Sequence, residues 1–391
     1  TLDMLNKYFT ISCMPVVSSS YWNEIHGNTA EEASKDAEGL QTMRTLGHNM
    51  AWLLKCIEAG RGAGIEPTKE KKVYTNFIRL GGMSAKAAIF DGEGRILAKS
   101  NITTNSADGF DGTANKLDVV ARTVAREAKI DFSEVEAIGI ASPGVVNSKT
   151  GVVLKWGNYG WLNAPLGETV EKLTGKRVYV ANDANAAALG EAKFGASSVY
   201  ESSIFITLGT GVGGGIIVDG KMLEGYMSAG AEIGHMILRE GGALCGCGRH
   251  GCFECYASAT ALIRQTKRKM EENMDSAMWD VANGSLDNVD GRTAFEAAKK
   301  GDRDAQAVVD KYIGYLSEGI ADLVNILRPE AIVLGGGVAN EGESLFAPLR
   351  KAVDEKSYLP SSVVPLKIVG AKLGNSAGIY GAYSLAKANL A

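Results

Sequence analysis

Apolar positions along this chain of 391 residues recur at two spacings, one typical of amphipathic helices and one typical of buried strands. Helical spacing is clearest at 111–129, where Leu117, Val120 and Val124 share one face. Short apolar runs that end at glycine, proline or asparagine predict strands. The predicted helices are 111–129, 166–174, 184–194 and 305–327, and the predicted strands are 135–141, 178–180 and 331–334. Alternating strands and helices predict an α/β protein.

The chain also contains an internal repeat. LGGMSAKAAIFDGEGRIL begins at Leu80 and LGTGVGGGIIVDGKML begins at Leu208. In both, a glycine turn leads into an apolar strand, and an Asp-Gly hairpin turn follows, at Asp91 and at Asp219. The equal spacing predicts two domains with one plan. We place the smaller domain at 76–183 and the larger at 184–375, and we expect a C-terminal helix at 376–391 to return to the smaller domain.

Residues 1–75 follow a different pattern. They hold a strand-like run at 9–17, a helix-like run at 41–58 and the linker-like stretch GRGAGIEPTKEKK. One strand and one helix cannot bury a core of their own. We therefore expect this segment to pack on another part of the protein or to be only partly ordered.

Composition narrows the class of protein. The chain is 45% hydrophobic and 22% charged, as is typical of a soluble globular protein. Its net charge of −4 gives no sign of a nucleic acid or anionic membrane partner, and the basic run at 264–269 is followed by Glu271 and Glu272, which indicates a solvated helix face. No apolar stretch is long enough to span a bilayer, and no secretory signal opens the sequence. A cytoplasmic location is the expectation.

Cysteine and histidine cluster in the string GHMILREGGALCGCGRHGCFEC. His235, Cys245, Cys247 and Cys252 supply three thiols and one imidazole, the ligand set of a structural zinc site. Disulfides of a secreted protein are the alternative. Against them, Cys13 and Cys56 alone lie elsewhere, so the cysteines form no distributed framework. We interpret Cys255 as a small buried residue beside the metal.

Asp183 is the candidate catalytic base. It follows an apolar strand and opens a helix, which would place its carboxylate at the edge of the sheet where α/β clefts bind ligands. The alternative is a helix N-cap, a position that aspartate and asparagine often occupy. Glu232 and His235 lie three residues apart, and Glu254 follows the cysteines. With Asn182 they suit a polyhydroxyl ligand, although each glutamate taken singly fits an ordinary surface residue.

Glycine loops at strand ends indicate a nucleotide. Such turns can direct backbone N–H groups at phosphate. No GxxxxGK[ST] loop is present, so ATP would bind through a different framework. The candidate loops contain Gly81 with Gly82, Thr210 with Gly211, and Gly336.

These strings together resemble one family. Residues from about 79 to 391 resemble the ROK family (repressor, open reading frame, kinase) of bacterial sugar kinases. The strings that carry the resemblance are ASPGVV, ANDANAAALGE, TLGTGVGGGII, GAEIGHMIL, CGCGRHGCFE and VLGGGV. The resemblance implies two actin-like, ribonuclease-H-like ATPase domains around a cleft that closes on sugar and ATP. It further implies ATP-dependent phosphorylation of a hexose, glucose first, with Mg²⁺ at the phosphates, Zn²⁺ in the cysteine loop and a homodimer as the assembly.

The resemblance also assigns roles to single residues. Asp183 is implied to be the general base. The residues implied to bind the sugar are Gly144, Asn158, Asn182, Asp183, Glu232, His235 and Glu254. The residues implied to face the nucleotide are Gly81, Gly82, Thr210, Gly211 and Gly336. Zinc is implied at His235, Cys245, Cys247 and Cys252.

One departure from the family pattern bears on activity. The first phosphate loop of the family reads D-x-G-G-T, whereas this chain has Arg79 at the acidic position and Met83 at the threonine. Asn76 also stands where the strand calls for an apolar residue. A guanidinium can neutralise phosphate charge but cannot ligate a cation. We expect weakened activity, and a catalytically weak or inactive sugar-binding protein of this family is the alternative.

Residues 1–75 resemble the C-terminal part of a flavodoxin-like, NADPH-dependent FMN reductase. The resemblance is carried by FTISCMPVVSSSYWNEIHGNT and by EEASKDAEGLQTMRTLGHNMAWLLKCIEAG. The phosphate-binding first loop of that fold is missing, so we do not expect FMN to bind. The junction indicates a gene fusion at about residues 73–79, and a flavin-dependent oxidoreductase is the second alternative.

Overall fold

A computed structural model describes residues 35–63, 74–80 and 84–390. The chain divides into two compact units, 1–71 and 72–391. In the first unit, helix α1 (Ala37–Gly62) covers the predicted helix at 41–58 and extends it at both ends. Asp36 caps it by accepting a 2.9 Å hydrogen bond from the Gly39 N–H. The predicted strand at 9–17 and the proposed flavodoxin-like contacts around it lie outside the described residues.

Two five-stranded sheets and one three-stranded sheet form the framework of the second unit. The first sheet contains β1 (Tyr74–Leu80), β2 (Ser84–Asp91), β3 (Ile96–Thr103), β4 (Val135–Ser142) and β8 (Arg177–Asn182), in the order β3-β2-β1-β4-β8. The second contains β9 (Ser203–Leu208), β10 (Val212–Val218), β11 (Lys221–Met222), β12 (Ala331–Gly335) and β13 (Lys367–Gly370), in the order β11-β10-β9-β12-β13. The small sheet contains β5 (Val145–Asn147), β6 (Val152–Trp156) and β7 (Trp161–Ala164).

Helices connect these strands. They are α2 (Gly109–Glu127), α3 (Leu166–Thr174), α4 (Asp183–Phe194), α5 (Glu254–Ala257), α6 (Ala259–Glu272), α7 (Met278–Val281), α8 (Thr293–Lys299), α9 (Arg303–Leu327), α10 (Glu343–Lys356) and α11 (Ala377–Leu390). Every helix and strand named from the sequence of this unit is present, with small shifts at the ends. The sequence pattern did not predict the three-stranded sheet.

The internal repeat is confirmed by the pairing of the strands. β1 runs antiparallel to β2 and parallel to β4, and β9 runs antiparallel to β10 and parallel to β12. Both Asp-Gly dipeptides form turns of antiparallel hairpins. In the second hairpin, Asp219 and Gly220 both have positive φ, at 49° and 72°, which a two-residue turn of the primed type requires. An α/β fold with two sheets of one plan is therefore established.

Two crossing helices connect the sheets. α4 packs on β9 and β10, and α11 packs on β1 and β4. The helices meet through glycines: a Cβ at Gly190 would lie 2.2 Å from the Ala377 carbonyl oxygen, so no larger residue fits this crossing. On the first sheet, the Tyr383 ring of α11 contacts Phe77 and Phe90 at centroid distances of 5.2 and 4.8 Å. This crossing holds the carboxyl ends of both sheets near one another.

Asn76 is a polar residue inside the core of the first sheet. It is fully buried in β1, and its Nδ2 donates a 2.7 Å hydrogen bond to the Ala121 carbonyl oxygen. Its Oδ1 has no hydrogen-bond partner among the described residues. A buried acceptor without a donor costs about 1–3 kcal/mol of folding free energy.

We therefore expect Asn76→Val to raise the free energy of unfolding by about 1 kcal/mol or more, since it removes the unpaired oxygen. Asn76→Asp is the matched variant and should destabilise, because it buries a carboxylate and loses the donor to Ala121. Chemical denaturation followed by circular dichroism measures both. A loss of stability in Asn76→Val would mean that Oδ1 has a partner, such as a buried water.

Candidate active site

The junction of β8 and α4 carries two polar side chains. Asn182 caps α4: its Oδ1 accepts hydrogen bonds from the Ala184 and Asn185 N–H groups at 2.9 and 3.0 Å. Its Nδ2 donates to the Gly144 carbonyl oxygen at 2.8 Å. The capping role therefore belongs to Asn182, and Asp183 is the first residue of the helix itself. The alternative interpretation of Asp183 as the N-cap is wrong in this structure.

Asp183 lines a cavity at the carboxyl edge of the first sheet. Asn182, Ser228, Gly230 and Glu232 line the same cavity. Burial raises the pKa of Asp183 above its ordinary value, and the positive charge of Arg79 opposes that rise. A carboxylate whose pKa is raised in this way is a stronger proton acceptor, as general-base catalysis requires.

Two glutamates and a histidine lie beside Asp183. Partial burial raises the pKa of Glu232, the nearby charges of Asp183 and Glu254 raise it further, and His235 lowers it. Glu232 therefore lies within electrostatic range of Asp183, Glu254 and His235. The Glu254 Oε2 accepts a 3.0 Å hydrogen bond from the Val212 N–H, which orients the carboxylate. Of the predicted polar set, Asn182, Asp183 and Glu232 line the cavity.

A strained loop closes one side of this cavity. Met227, Ser228 and Ala231 have positive φ values of 54°, 56° and 61°, a conformation that costs free energy in residues other than glycine. The Ser148 Oγ lies 2.8 Å from both the Ser228 Oγ and the Glu224 Oε2, so hydrogen bonds join this loop to the end of β5. Sequence reasoning missed these serines, because no local pattern marks a contact between residues so distant in the chain.

The four predicted metal ligands meet at one point. One ligand atom each from His235, Cys245, Cys247 and Cys252 lies within 4.8 Å of all the others. The Cys247 and Cys252 Sγ atoms are 3.7 Å apart, and the His235 Nδ1 is 3.7 Å from the Cys245 Sγ. A tetrahedral zinc site with Zn–S bonds of about 2.3 Å sets its sulfurs about 3.8 Å apart. The residues fit Zn²⁺.

The remaining cysteine near this loop has a different environment. Cys255 is buried, and its Sγ faces the Leu244 carbonyl oxygen at 3.6 Å, outside the set of four ligands. All cysteines among the described residues are free thiols, which contradicts the disulfide alternative for this cluster. The Cys245 Sγ also lies 3.7 Å from the Glu254 Oε1. An ion in this loop would therefore lie close to the Glu254 carboxylate.

Two of the glycine loops lie together at the second sheet. The turn that contains Thr210 and Gly211 joins β9 to β10, and Gly336 follows β12. A Cβ at Gly336, where φ is 87°, would lie 2.4 Å from the Leu208 carbonyl oxygen. A Cβ at Gly211 would lie 2.1 Å from the Glu254 Oε2, so this turn also contacts the acidic site. Gly81 and Gly82 lie outside the described residues.

Two further predicted sugar residues have different positions. Gly144, at a φ of 88°, accepts the hydrogen bond from Asn182 and is therefore adjacent to the cavity. Asn158 lies in an exposed turn between β6 and β7 and is not among the residues that line the cavity. The stacked rings of Trp156 and Tyr159, 3.8 Å apart, flank this turn.

Arg79 reaches from β1 toward the same region. Its guanidinium donates a 3.2 Å hydrogen bond to the Asn375 carbonyl oxygen. A Cβ at Gly378 would lie 3.1 Å from the Arg79 Cδ, so the side chain lies against the start of α11. Because its charge acts on Asp183, Arg79 is part of the electrostatic environment of the site.

None of the described helices is both long enough and apolar enough to cross a bilayer.

Comparisons with known proteins agree with this geometry. The ROK family model matches residues 75–389. A glucokinase of Thermotoga maritima is 36% identical over 312 residues, which cover 79% of this chain and 96% of the relative. The structure of a ROK family glucokinase from Streptomyces griseus, in complex with glucose and AMPPNP, is 37% identical with a TM-score of 0.69 and covers 80% of this chain and 98% of its own. The structure of a ROK family transcriptional regulator, a homologue of the E. coli MLC protein, is 28% identical with a TM-score of 0.74. The match covers 92% of this chain and 91% of the regulator. The chain belongs to the ROK family.

Proposed function

We propose that this chain is a sugar kinase that transfers the terminal phosphoryl group of ATP to a hydroxyl of a hexose, with glucose as the first candidate. The observation that carries the proposal is the cavity in which Asp183 and Glu232 meet, next to Glu254 and the glycine loops of the second sheet. The glucokinases of Thermotoga maritima and Streptomyces griseus support it, because their similarity spans nearly their whole length.

In this proposal Asp183 accepts the proton of the attacking hydroxyl. The remaining hydroxyls of the sugar are held by Asn182, Glu232, His235, Glu254 and the backbone at Gly144. The nucleotide binds at three glycine loops, which contain Thr210 with Gly211, Gly336, and Gly81 with Gly82. Phosphoryl transfer of this kind depends on positioning and on charge neutralisation by Mg²⁺. Because Asn158 is exposed and outside the cavity, we give it no role.

We further propose that His235, Cys245, Cys247 and Cys252 hold a structural Zn²⁺. A closed four-ligand site supplies folding energy and fixes the loop that carries it. Its consequence here is the position of Glu232 and Glu254, which border the loop at either end of the ligand set. The ion would take no direct part in phosphoryl transfer.

A coupled ADP-release assay over a panel of hexoses tests the function. We expect sugar-dependent ADP release, largest with glucose, from the full chain with Mg²⁺ and ATP. The panel should include mannose, fructose, allose and N-acetylated hexosamines. ADP release with none of these sugars, from protein shown to be folded, would contradict the kinase proposal.

Arg79 permits a sharper test. We expect Arg79→Asp to raise kcat, because the carboxylate can help to place the cation that a guanidinium excludes. The same change should move the acid limb of the pH profile of kcat to higher pH, since it removes the charge that lowers the pKa of Asp183. Arg79→Gln is the control: it shifts the pH limb but supplies no ligand. A lower kcat in Arg79→Asp at every pH would show that our interpretation of position 79 is wrong.

A sugar-binding protein without efficient catalysis is the second candidate function. Arg79 in the first phosphate loop favours it, and so does the similarity to the ROK transcriptional regulator. Calorimetric binding of glucose without ADP release would support this candidate over the kinase.

Four further features stay predictions: a homodimer, domain boundaries at 183 and 184, a cytoplasmic location and a gene fusion near 73–79. An absorbance spectrum of the purified chain tests the flavin alternative.

A further inference from the structure

The strained loop beside Asp183 is a compact segment whose two ends meet. We call residues 224–231 the cap loop. The Gly230 N–H donates a 2.7 Å hydrogen bond to the Glu224 carbonyl oxygen, and a Cβ at Gly225 would lie 3.2 Å from the Gly230 Cα. Compact loops closed at the neck in this way are frequently functional. Because its ends are tied together, the cap loop can move as one unit.

The cap loop forms part of the wall of the candidate active site. Ser228, Gly230 and Ala231 line the cavity from this loop, and Glu232, which also lines it, follows directly in the chain. Val145 of β5 is another lining residue. Any movement of the cap loop would therefore change both the shape of the cavity and the position of the Glu232 carboxylate.

Hydrogen bonds from the end of β5 hold the cap loop in place. The Ser148 Oγ donates to the Glu224 Oε2 at 2.8 Å, and the Ser148 N–H donates to the Ser228 Oγ at 3.3 Å. The two serine oxygens are also 2.8 Å apart. A hydroxyl supplies one proton, and that of Ser148 is directed at the carboxylate, so the Ser228 hydroxyl is the donor between the serines. This assignment satisfies all three contacts, and we call them the latch.

The latch joins the two halves of the fold. Ser148 follows β5, which packs beside β8 of the first sheet, whereas the cap loop follows β11 of the second sheet. The positive φ values of Met227, Ser228 and Ala231 are a strain that persists only where surrounding contacts fix the backbone. The latch supplies such contacts at two points of the loop. Without the latch, the strain should favour an open loop.

We propose that Ser148 and Glu224 are positioning residues, which latch the cap loop over the cavity so that opening of the latch controls entry and release of the sugar. The identity of the occupant rests on the proposed function, whereas the latch itself does not. Ser148 and Glu224 are not among the residues that line the cavity. The latch therefore determines how long a sugar is held and takes no part in proton or phosphoryl transfer.

Hydrogen exchange of the full chain without ligand, followed by mass spectrometry, tests the latch. Ser148→Ala removes the bonds that its hydroxyl makes with Glu224 and Ser228. We expect amides of the cap loop to exchange about tenfold faster or more, as loss of a hydrogen bond to a charged group predicts. Ser148→Thr keeps the hydroxyl and should restore the exchange of the parent. Ser100→Ala is the matched control, because the Ser100 Oγ donates to the Glu127 Oε1 at 3.3 Å between β3 and α2.

Stopped-flow binding of glucose and steady-state kinetics test control of the cavity. In Ser148→Ala we expect the dissociation rate and the KM for glucose to rise about tenfold, while kcat does not fall and association does not slow. Glu224→Gln keeps an acceptor and should have a smaller effect. Ser148→Ala combined with Glu224→Gln should raise the dissociation rate no further than Ser148→Ala alone, because both changes act on one hydrogen bond.

Three results would overturn the proposal. The first is unchanged exchange of the cap loop in Ser148→Ala, and the second is an unchanged dissociation rate of bound glucose. The third is a fall in kcat that matches the rise in KM, since this would mean damage to the site itself. If the parent chain bound no hexose while Ser148→Ala still accelerated exchange, the proposed function would fail and the latch would be supported.

Discussion

Asp183→Asn is expected to lower kcat by about 10²–10⁴-fold, the usual contribution of a general base, while the Kd for the sugar changes little. An amide of the same shape still hydrogen-bonds a hydroxyl but cannot accept its proton. The helix should remain intact because Asn182, not Asp183, supplies the cap. Steady-state kinetics and calorimetric sugar binding, measured on the same preparation, separate the two effects.

Asp219→Asn is the matched control for this substitution. Asp219 lies in the β10–β11 hairpin turn at a φ of 49°, a conformation that asparagine tolerates. Its replacement should leave kcat and sugar binding unchanged. Turnover that survives in Asp183→Asn would exclude Asp183 as the base. The parent protein should also lose activity as the pH falls through the raised pKa of Asp183, because protonation removes the acceptor.

Cys247→Ser is expected to release the metal and to raise the KM for the sugar by about 10–100-fold, the range in which loss of a residue that supports a metal site lowers activity. Cys247 is exposed, so the change removes a ligand without opening a hole in the core. The loop would then no longer hold Glu232 and Glu254 beside Asp183. Elemental analysis of the purified variant and parent, together with the sugar KM, measures the effect.

Cys255→Ser is the control for the loss of a thiol. Its sulfur lies outside the ligand set, so the variant should retain one zinc per chain and a nearly normal KM. If the parent protein contained no metal and still showed full activity, zinc would have no role in positioning the sugar site. A Cys247→Ser variant that keeps both its metal and its KM would show that the site has a different ligand set.

Features that depend on neighbours in the chain were predictable from the sequence. The hairpin turns at Asp91 and Asp219 follow from local backbone preference, and the repeat predicted the common plan that the two five-stranded sheets share. The cluster of four candidate metal ligands was also predictable, because three of the four lie within a short glycine-rich loop that can bend around one ion. Asp183 was identifiable from its position between a strand and a helix.

Contacts between distant segments were not predictable. The Ser148 and Ser228 hydroxyls meet across 80 positions of sequence, and Arg79 reaches Asn375 across 296. The family resemblance implied a place for Asn158 in the sugar pocket, and only the structure shows that it lies in an exposed turn between β6 and β7. The basic run at 264–269 forms a cavity wall only because α9 packs beside α6.

The sequence by itself thus determined the α/β class, the duplicated plan, the candidate metal ligands and the candidate base, since each is encoded within a short stretch of chain. Only the tertiary structure decided which charge faces Asp183, which residue caps its helix and which serines hold the strained loop. The physical reason is that the charge facing Asp183 and the serine contacts join segments far apart in the chain, which only the packed fold brings together. A one-dimensional pattern does not specify which distant side chains that packing brings within hydrogen-bond distance.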